Sequence, residues 1–479
     1  IVMASIKQQM LSGVFYTAIA RYSGIVISLI ITAILARLLS PDDFGIVAVA
    51  TVIINFFGIF ANIGIPAAII QNKELTNKDM NSIYMFTIWI GGILSVLFFL
   101  SSWGIATFYQ DNRLVLICQL LSICLFFTAA SIVPNALFYR DKDFKFIAFR
   151  TCIVQVIAGV LSILAAIKGV GLYTLVIQPI LSGLLVWIIS LKKYPQQLQW
   201  TMGIGSVQKI WNYSMYQFLF SIVNYFTRNL DKLLIGKYMG LTPLGYYEKS
   251  YRLMMLPLQN ITYIITPVMH PILSDYQNDM NKLGHTQERI MRLLAFIGFP
   301  LSIVLLFCAK ELILCVFGEQ WLPSIPVFQI LSLTVGLQLL LSSSGSFYQA
   351  GNDTRGLFIC GAFSALTSII GLLIGIFYFH SLEAIAWCIF ISFCLNFIQC
   401  YWQLYRFMLH RSLLLCYRQL LSPSILSCII GCTLYLVSIF IKDYNIILSL
   451  FSKAIISFIL WIVYIPVSYT HLRAHETLR

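Results

Sequence analysis

Seven ionisable side chains lie inside runs of apolar sequence: Arg21, Arg228, Asp231, Lys232, Glu248, Lys249 and Arg252. At the centre of a membrane helix a Lys, Arg or Asp costs about 2.5–3.5 kcal/mol on an insertion scale, so such residues face a cavity or a partner. Arg228 and Asp231 are three apart, and Glu248 and Arg252 are four apart, spacings that let each pair meet on one helix face. Neutralising those pairs leaves Arg21, Lys232 and Lys249, an excess of three positive charges if the segments gather. That excess suits an anionic ligand, and Arg suits phosphate oxygens because its planar fork makes two parallel hydrogen bonds. Two placements satisfy Lys232 and Lys249: a cavity wall, or a site near a membrane surface from which the ammonium reaches water along its own stem. Arg21 and Arg252 lie well inside their runs, which favours the cavity. Lys453, also within an apolar run, is expected to snorkel or to face protein.

Aromatic residues accompany the charges. Tyr22, Tyr213, Tyr216, Tyr225, Tyr246, Tyr247 and Tyr251 offer hydroxyls and flat faces to sugars or lipid, while interfacial anchoring is the simpler account for most of them. Pro257, Pro267 and Pro271 remove backbone donors from one run and favour a kink or a break.

The elements that must position these groups are membrane helices. Mean hydropathy of +0.86 with only 10% charged residues leaves a soluble chain of 479 residues far too little polar surface. Runs of about 20 apolar residues, long enough to cross about 30 Å of hydrocarbon, fall near 14–38, 44–63, 83–107, 114–137, 148–168, 171–191, 212–236, 243–272, 288–310, 325–349, 356–379, 382–408, 421–441 and 446–466. The amino end and the even-numbered gaps hold seventeen Lys and Arg, among them Lys78, Arg140, Arg150 and Arg292. The odd gaps hold six: Arg37, Arg113, Lys168, Lys237, Lys310 and Lys442. Cytoplasmic loops retain Lys and Arg, so both termini are expected in the cytoplasm, and the basic balance needs no nucleic acid. The first run carries Arg21 and is too long for a cleavable leader, so it reads as the first span.

The remaining features add little chemistry. The twelve cysteines fall in spans or at their ends, form no C-x-x-C pair and share no ligand spacing with the six histidines, so they read as packing residues with no metal or cofactor. No extramembrane domain is expected, because the longest gaps, near 192–211 and 273–287, have room only for a short amphipathic helix. The terminal stretch 467–479 shifts abruptly to polar residues and looks like a translated sequencing adapter, so it is set outside the fold.

An internal repeat organises the spans. Leu39-Ser40-Pro41-Asp42-Asp43-Phe44-Gly45 follows span one, and Leu241-Thr242-Pro243-Leu244-Gly245-Tyr246 follows span seven. Each combines a hydroxyl residue, a Pro suited to a first helical turn and a Gly, so each reads as a capped helix entry. Six spans per unit is an even number, so two such units share one orientation and can face a central cavity. The boundaries expected are 1–210, 211–410 and a last helix pair at 411–466.

These residues also carry a resemblance. Ala36-Arg37-Leu38-Leu39-Ser40-Pro41-Asp42-Asp43-Phe44-Gly45, Asn62-Ile63-Gly64-Ile65-Pro66-Ala67-Ala68-Ile69-Ile70-Gln71, Arg228-Asn229-Leu230-Asp231-Lys232-Leu233-Leu234-Ile235-Gly236, Leu244-Gly245-Tyr246-Tyr247 and Leu256-Pro257-Leu258-Gln259 resemble bacterial polysaccharide exporters of the Wzx flippase type, in the multidrug/oligosaccharidyl-lipid/polysaccharide superfamily. The resemblance implies an all-α polytopic membrane protein of fourteen transmembrane helices, with two six-helix lobes around a central cavity plus a C-terminal pair. It also implies alternating access and export of undecaprenyl-pyrophosphate-linked oligosaccharide across the bacterial inner membrane, without enzymatic chemistry. Cationic residues of the first and eighth helices meet the pyrophosphate in similar flippases, and the matching positions are Arg21 and Arg252. A coupling ion, proton or sodium, is implied without an assigned residue, as is contact with polysaccharide assembly proteins.

Two other classes stay open. A membrane glycan polymerase or ligase wants a large external loop with catalytic charges, whereas the odd gaps are short. A drug exporter of the same superfamily wants net acidic residues in its cavity, whereas the excess is positive. The charge count predicts that cysteines placed in 138–147 and 192–210 of a Cys-free variant stay unlabelled by an impermeant thiol reagent in intact cells. One in 310–324 is labelled, and the reverse pattern would invert the topology.

Overall fold

The computed structural model describes residues 2–62, 64–71, 74–197, 218, 222, 224–226, 228–274, 279–440 and 445–476, and among these no strand occurs. The chain runs through α1 (Val2–Leu38), α2 (Pro41–Asn62), α3 (Ile65–Gln71), α4 (Asn77–Tyr109), α5 (Arg113–Ala130), α6 (Ile132–Arg140), α7 (Phe144–Ile167) and α8 (Thr174–Lys193). A helix over 228–238, α9, precedes α10 (Leu241–Ser274). Then come α11 (Met280–Phe307), α12 (Ala309–Val316), α13 (Ser324–Ala350), α14 (Thr354–Ile374), α15 (Leu382–Gln403), α16 (Leu413–Phe440) and α17 (Ile446–Glu476). Twelve segments of described helix are long and apolar enough to cross a membrane, each overlapping one of the expected spans. The other two expected spans are 212–236, much of it outside the described residues, and 243–272, which is α10. That helix is 34 residues long and runs unbroken across Pro257, Pro267 and Pro271.

Some boundaries move for identifiable reasons. The span expected at 114–137 is two helices meeting at Ser131, and α5 ends at Ala130. Pro134 lies four residues on, where its ring would clash with the Ala130 carbonyl of a continuous helix. The span expected at 288–310 begins earlier, at Met280, where Asp279 caps α11 by accepting the Lys282 backbone N–H at 3.0 Å. The one at 421–441 likewise begins at Leu413, with Pro423 inside it.

Two compact units divide the chain, Ile1–Gly245 and Tyr246–Arg479. Within the first, α1 packs along α7, α4 along α5, and α8 against α5 and α7. Within the second, α11 packs against α13 and α16, and α15 against α13 and α14.

Connections that should share a membrane face do meet. In the first unit, Arg113 pairs with Asp42 at 2.7 Å, and the Thr242 hydroxyl donates to the same carboxylate at 2.9 Å. Nearby, Tyr109 donates to the Leu233 carbonyl at 3.2 Å, and Lys237 donates to the Phe108 carbonyl with its ammonium 4.4 Å from the Phe108 ring centroid. All of these join odd-numbered connections. Even-numbered ones meet likewise: Lys193 pairs with Asp143, Tyr194 donates to Asp141, and the Gln197 backbone N–H donates to Asn81 at 3.1 Å. The second unit repeats the separation, with Arg411 and Glu288 paired at 2.9 Å on one side and Glu311 with Lys453 on the other.

The paired helix entries cross at their glycines. A Cβ on Gly45 would lie 1.8 Å from the Leu241 carbonyl oxygen, and one on Gly245 would lie 2.1 Å from the Pro41 carbonyl oxygen. The contact is reciprocal, as two equivalent entries require. Only one of them is capped as expected: Ser40 and Asp43 satisfy each other's backbone N–H groups at 3.2 and 2.9 Å. At the other, α10 starts at Leu241 after Gly240, whose φ is 105°, and the Thr242 hydroxyl reaches Asp42 across the crossing.

Gly45→Ala should therefore lower the yield of folded, membrane-inserted protein, because backbone must move to admit the methyl. Gly58→Ala, which adds a methyl into open space, is the matched control, and equal yields for the two variants would contradict the crossing. Lys453 is 5% exposed, and besides Glu311 its ammonium donates to the Phe307 carbonyl at 3.0 Å. Lys453→Ala strands the carboxylate and should cost about 3–5 kcal/mol, read as a lower melting temperature in detergent, while Lys453→Met combined with Glu311→Met recovers most of the loss. A melting point unchanged by Lys453→Ala would show that the pair contributes nothing.

Candidate functional site

Four of the seven candidate residues belong to the first unit and three to the second. On α1, Arg21 is half-buried, one turn before Gly24. Gly24 admits the Gln155 side chain of α7 so closely that a Cβ there would lie 3.0 Å from Gln155 Oε1. On α9, Arg228 is exposed while Asp231 and Lys232 are half-buried, and Asp231 Oδ1 accepts the Lys232 backbone N–H at 2.8 Å. Phe218, Tyr225 and Phe226, which precede α9, contact α2. The Tyr225 hydroxyl donates to the Val52 carbonyl, Phe226 lies 5.1 Å from Phe56, and Phe218 lies 5.2 Å from Phe60 between centroids.

On α10, Glu248 is half-buried and Arg252 exposed, but Lys249 is only 2% exposed. Its ammonium lies 5.8 Å from the Phe317 ring centroid and 5.9 Å from that of Trp321, within reach of both quadrupoles. Lys249 is thus sheltered by aromatic rings of its own unit rather than extended toward water. The adjacent Ser250 hydroxyl donates to the Ser324 carbonyl at 2.9 Å, tying the same turn to the start of α13. Tyr246 meets Trp321 edge-on at 6.0 Å, and Tyr247 is buried and stacked on Tyr251, so two of these tyrosines serve packing within the unit. Tyr22 is exposed on α1; Tyr213 and Tyr216 lie outside the described residues.

Two arginines counted as connection charges are instead held inside the helix packing. Arg150 lies within α7, 8% exposed, with Nη1 2.7 Å from Asn135 Oδ1 and 2.6 Å from Ser190 Oγ, and its guanidinium 5.1 Å from the Phe138 ring centroid. The signal was present in the spacing: Arg150, Val154, Ala158 and Ser162 are successive fourth residues on one buried face. Arg292 lies within α11 and donates through Nε to Gln419 of α16 at 2.7 Å.

A polar cavity of about 640 Å³ opens in the first unit, where the start of α4 meets the ends of α6 and α8. Lys78, Asn81, Arg140, Asp141, Tyr194 and Gln196 line it. Burial and the hydrogen bond to Asp141 both hold the Tyr194 phenol above its ordinary value, so it remains a donor there. At the opposite connections, burial acts to raise the Asp111 carboxyl, but hydrogen bonds from Arg113 outweigh it and hold the group below the usual carboxylate range.

Comparison with known proteins bears on this arrangement. The family model described as "Polysaccharide biosynthesis protein" matches residues 34–326. The teichuronic acid biosynthesis protein TuaB of Bacillus subtilis is 27% identical over 354 residues, covering 72% of each chain. The lipopolysaccharide biosynthesis protein WzxC of Escherichia coli is 25% identical over 355 residues, 72% of this chain and 71% of its own. Among solved structures, the inward closed conformation of the lipid II flippase MurJ superposes with a TM-score of 0.73 at 14% identity, over 96% of this chain and 99% of that one. An inward-facing multidrug transporter of the MOP superfamily gives 0.61 at 13% identity, over 80% and 94%. These two show a shared fold, and the model match covers more than half of the sequence. The chain is a multi-pass membrane protein and belongs to the polysaccharide biosynthesis protein family.

Proposed function

We propose that the chain flips an undecaprenyl-pyrophosphate-linked oligosaccharide, a repeat unit of O-antigen, capsule or exopolysaccharide, from the cytoplasmic to the outer leaflet by alternating access. The bilayer is the bacterial inner membrane and both termini lie in the cytoplasm. Fourteen helices cross it, the two beyond the twelve apolar segments being the span expected at 212–236 and α10. They form six-helix lobes over 1–210 and 211–410 about a central cavity, with 411–466 as an added pair.

The observation that carries this reading is the sign of the charge within otherwise apolar helices. Counted along the sequence, Arg21, Arg228, Lys232, Lys249 and Arg252 outnumber Asp231 and Glu248, a net of three positive charges. Hydrocarbon penalises that excess, and an anionic lipid head relieves it. The named relatives support the substrate class: besides TuaB and WzxC, the succinoglycan biosynthesis transport protein ExoT of Rhizobium meliloti is 23% identical over 309 residues. Lys249, enclosed by Phe317 and Trp321, contributes to the field within its own unit. Direct phosphate contact falls to Arg21 and Arg252 through charge-assisted bidentate hydrogen bonds.

Arg21→Ala and Arg252→Ala should each abolish surface polysaccharide while the protein remains inserted at normal levels, and Arg→Lys should restore export only in part. Immunoblots of membranes alongside surface-glycan staining check this. Normal export from either Ala variant would remove that arginine from the substrate site and move the phosphate contact to Arg228 and Lys232.

A further inference from the structure

The polar cavity of the first unit is built from helix ends. Asn77 begins α4, Arg140 ends α6, and the chain leaves α8 through Tyr194, Gln196 and Gln197. Because α4 and α8 are membrane-crossing helices, their ends lie at the level of the lipid headgroups. The volume of about 640 Å³ is in the range of small-molecule sites and admits a phosphate together with one small polyol or sugar.

The lining chemistry is specific. Lys78 and Arg140 supply cationic donors, and Leu75, Met80 and Leu137 supply an apolar floor. The one lining carboxylate, Asp141, accepts the Tyr194 hydroxyl. The start of α4 is not itself the anion site, because Thr76 and Asp79 close it as a capping box, the Asp79 backbone N–H donating to Thr76 Oγ1 at 3.2 Å. Gln196 Oε1 is buried with no hydrogen-bond partner, whereas the Gln196 amide nitrogen donates to the Tyr194 carbonyl at 3.4 Å. A buried acceptor of this kind calls for a donor. A phosphodiester has none to give, but a hydroxyl beside it does.

We propose that this cavity binds the headgroup of an anionic lipid that carries both a phosphate, held by Lys78 and Arg140, and a neighbouring hydroxyl, donated to Gln196 Oε1. Two lipids present that chemistry: phosphatidylglycerol of the bilayer, and a glycosylated polyprenyl pyrophosphate. The phosphatidylglycerol source needs only a membrane, whereas the polyprenyl source rests on the transport reading above.

Native mass spectrometry of the full chain in detergent, titrated with phosphatidylglycerol, phosphatidic acid, phosphatidylcholine and a glycosylated undecaprenyl pyrophosphate, tests it. The unaltered protein should retain the anionic lipids over phosphatidylcholine. Lys78→Gln combined with Arg140→Gln should weaken that retention about tenfold or more. In alkaline buffer, where the phosphomonoester of phosphatidic acid is doubly ionised and has neither proton nor polyol to donate, Gln196→Ala should weaken phosphatidylglycerol binding but not that of phosphatidic acid. Loss confined to phosphatidylglycerol assigns the site to bulk lipid, and loss confined to the polyprenyl lipid assigns it to that lipid. Anionic retention unchanged in the double variant overturns the proposal. Should the double variant fail to insert, hydrogen exchange on the unaltered protein decides: phosphatidylglycerol should protect backbone amides within 77–81 and 137–141, and no protection there overturns it equally.

Discussion

The reciprocal contact of two helix starts governs how the first unit closes. At Gly45 and Gly245 a backbone carbonyl of the opposite helix occupies the place of a side chain, so neither position tolerates even a methyl without displacement. Close approach brings Thr242 to Asp42, and Asp42 in turn holds Arg113 at the entry to α5. Three connections distant in sequence thereby share one carboxylate. The start of α10 is thereby fixed within the first unit.

Charge at the odd-numbered connections is consistent with this economy. A topology biased toward Lys and Arg on the cytoplasmic side has to account for the cations left on the other. Arg113 sits between Asp42 and Asp111, and Lys237 caps the Phe108 carbonyl over an aromatic ring. Such cations join helix ends, and their partners offset much of their charge. The even-numbered side also uses ion pairs, Lys193 with Asp143 and Arg411 with Glu288, and Lys78 and Arg140 line the polar cavity.

Hydrophobic run length was enough to read the twelve apolar membrane-crossing segments, because a membrane span is a local property of about 20 residues. Breaks inside a run were not legible: the span expected at 114–137 divides three residues before Pro134, while α10 continues across Pro257, Pro267 and Pro271. Partners were not legible. Lys453 and Glu311 are 142 residues apart and Arg292 and Gln419 are 127 apart, and nothing in either local sequence names the other. Of the candidate site, residue types and helix were readable, but not which side of the helix each residue faced. Lys249 and Arg252 are three apart, yet one is enclosed by Phe317 and Trp321 and the other is exposed. That difference depends on the connection before α13, which no periodicity in α10 reveals.

The least apolar of the long helices is also the one with the most to explain. Stability alone would replace Glu248, Lys249 and Arg252 with Leu or Ala, gaining insertion energy and hydrocarbon contact at once. Lys249 is accommodated by two aromatic rings and a buried position. Arg252, three residues on, is exposed. A charged group kept exposed on a membrane helix is stable when something polar returns to it, whether water or an anionic headgroup. Under the proposed transport reading, a site that water fills and an anionic headgroup displaces would meet that condition in both states.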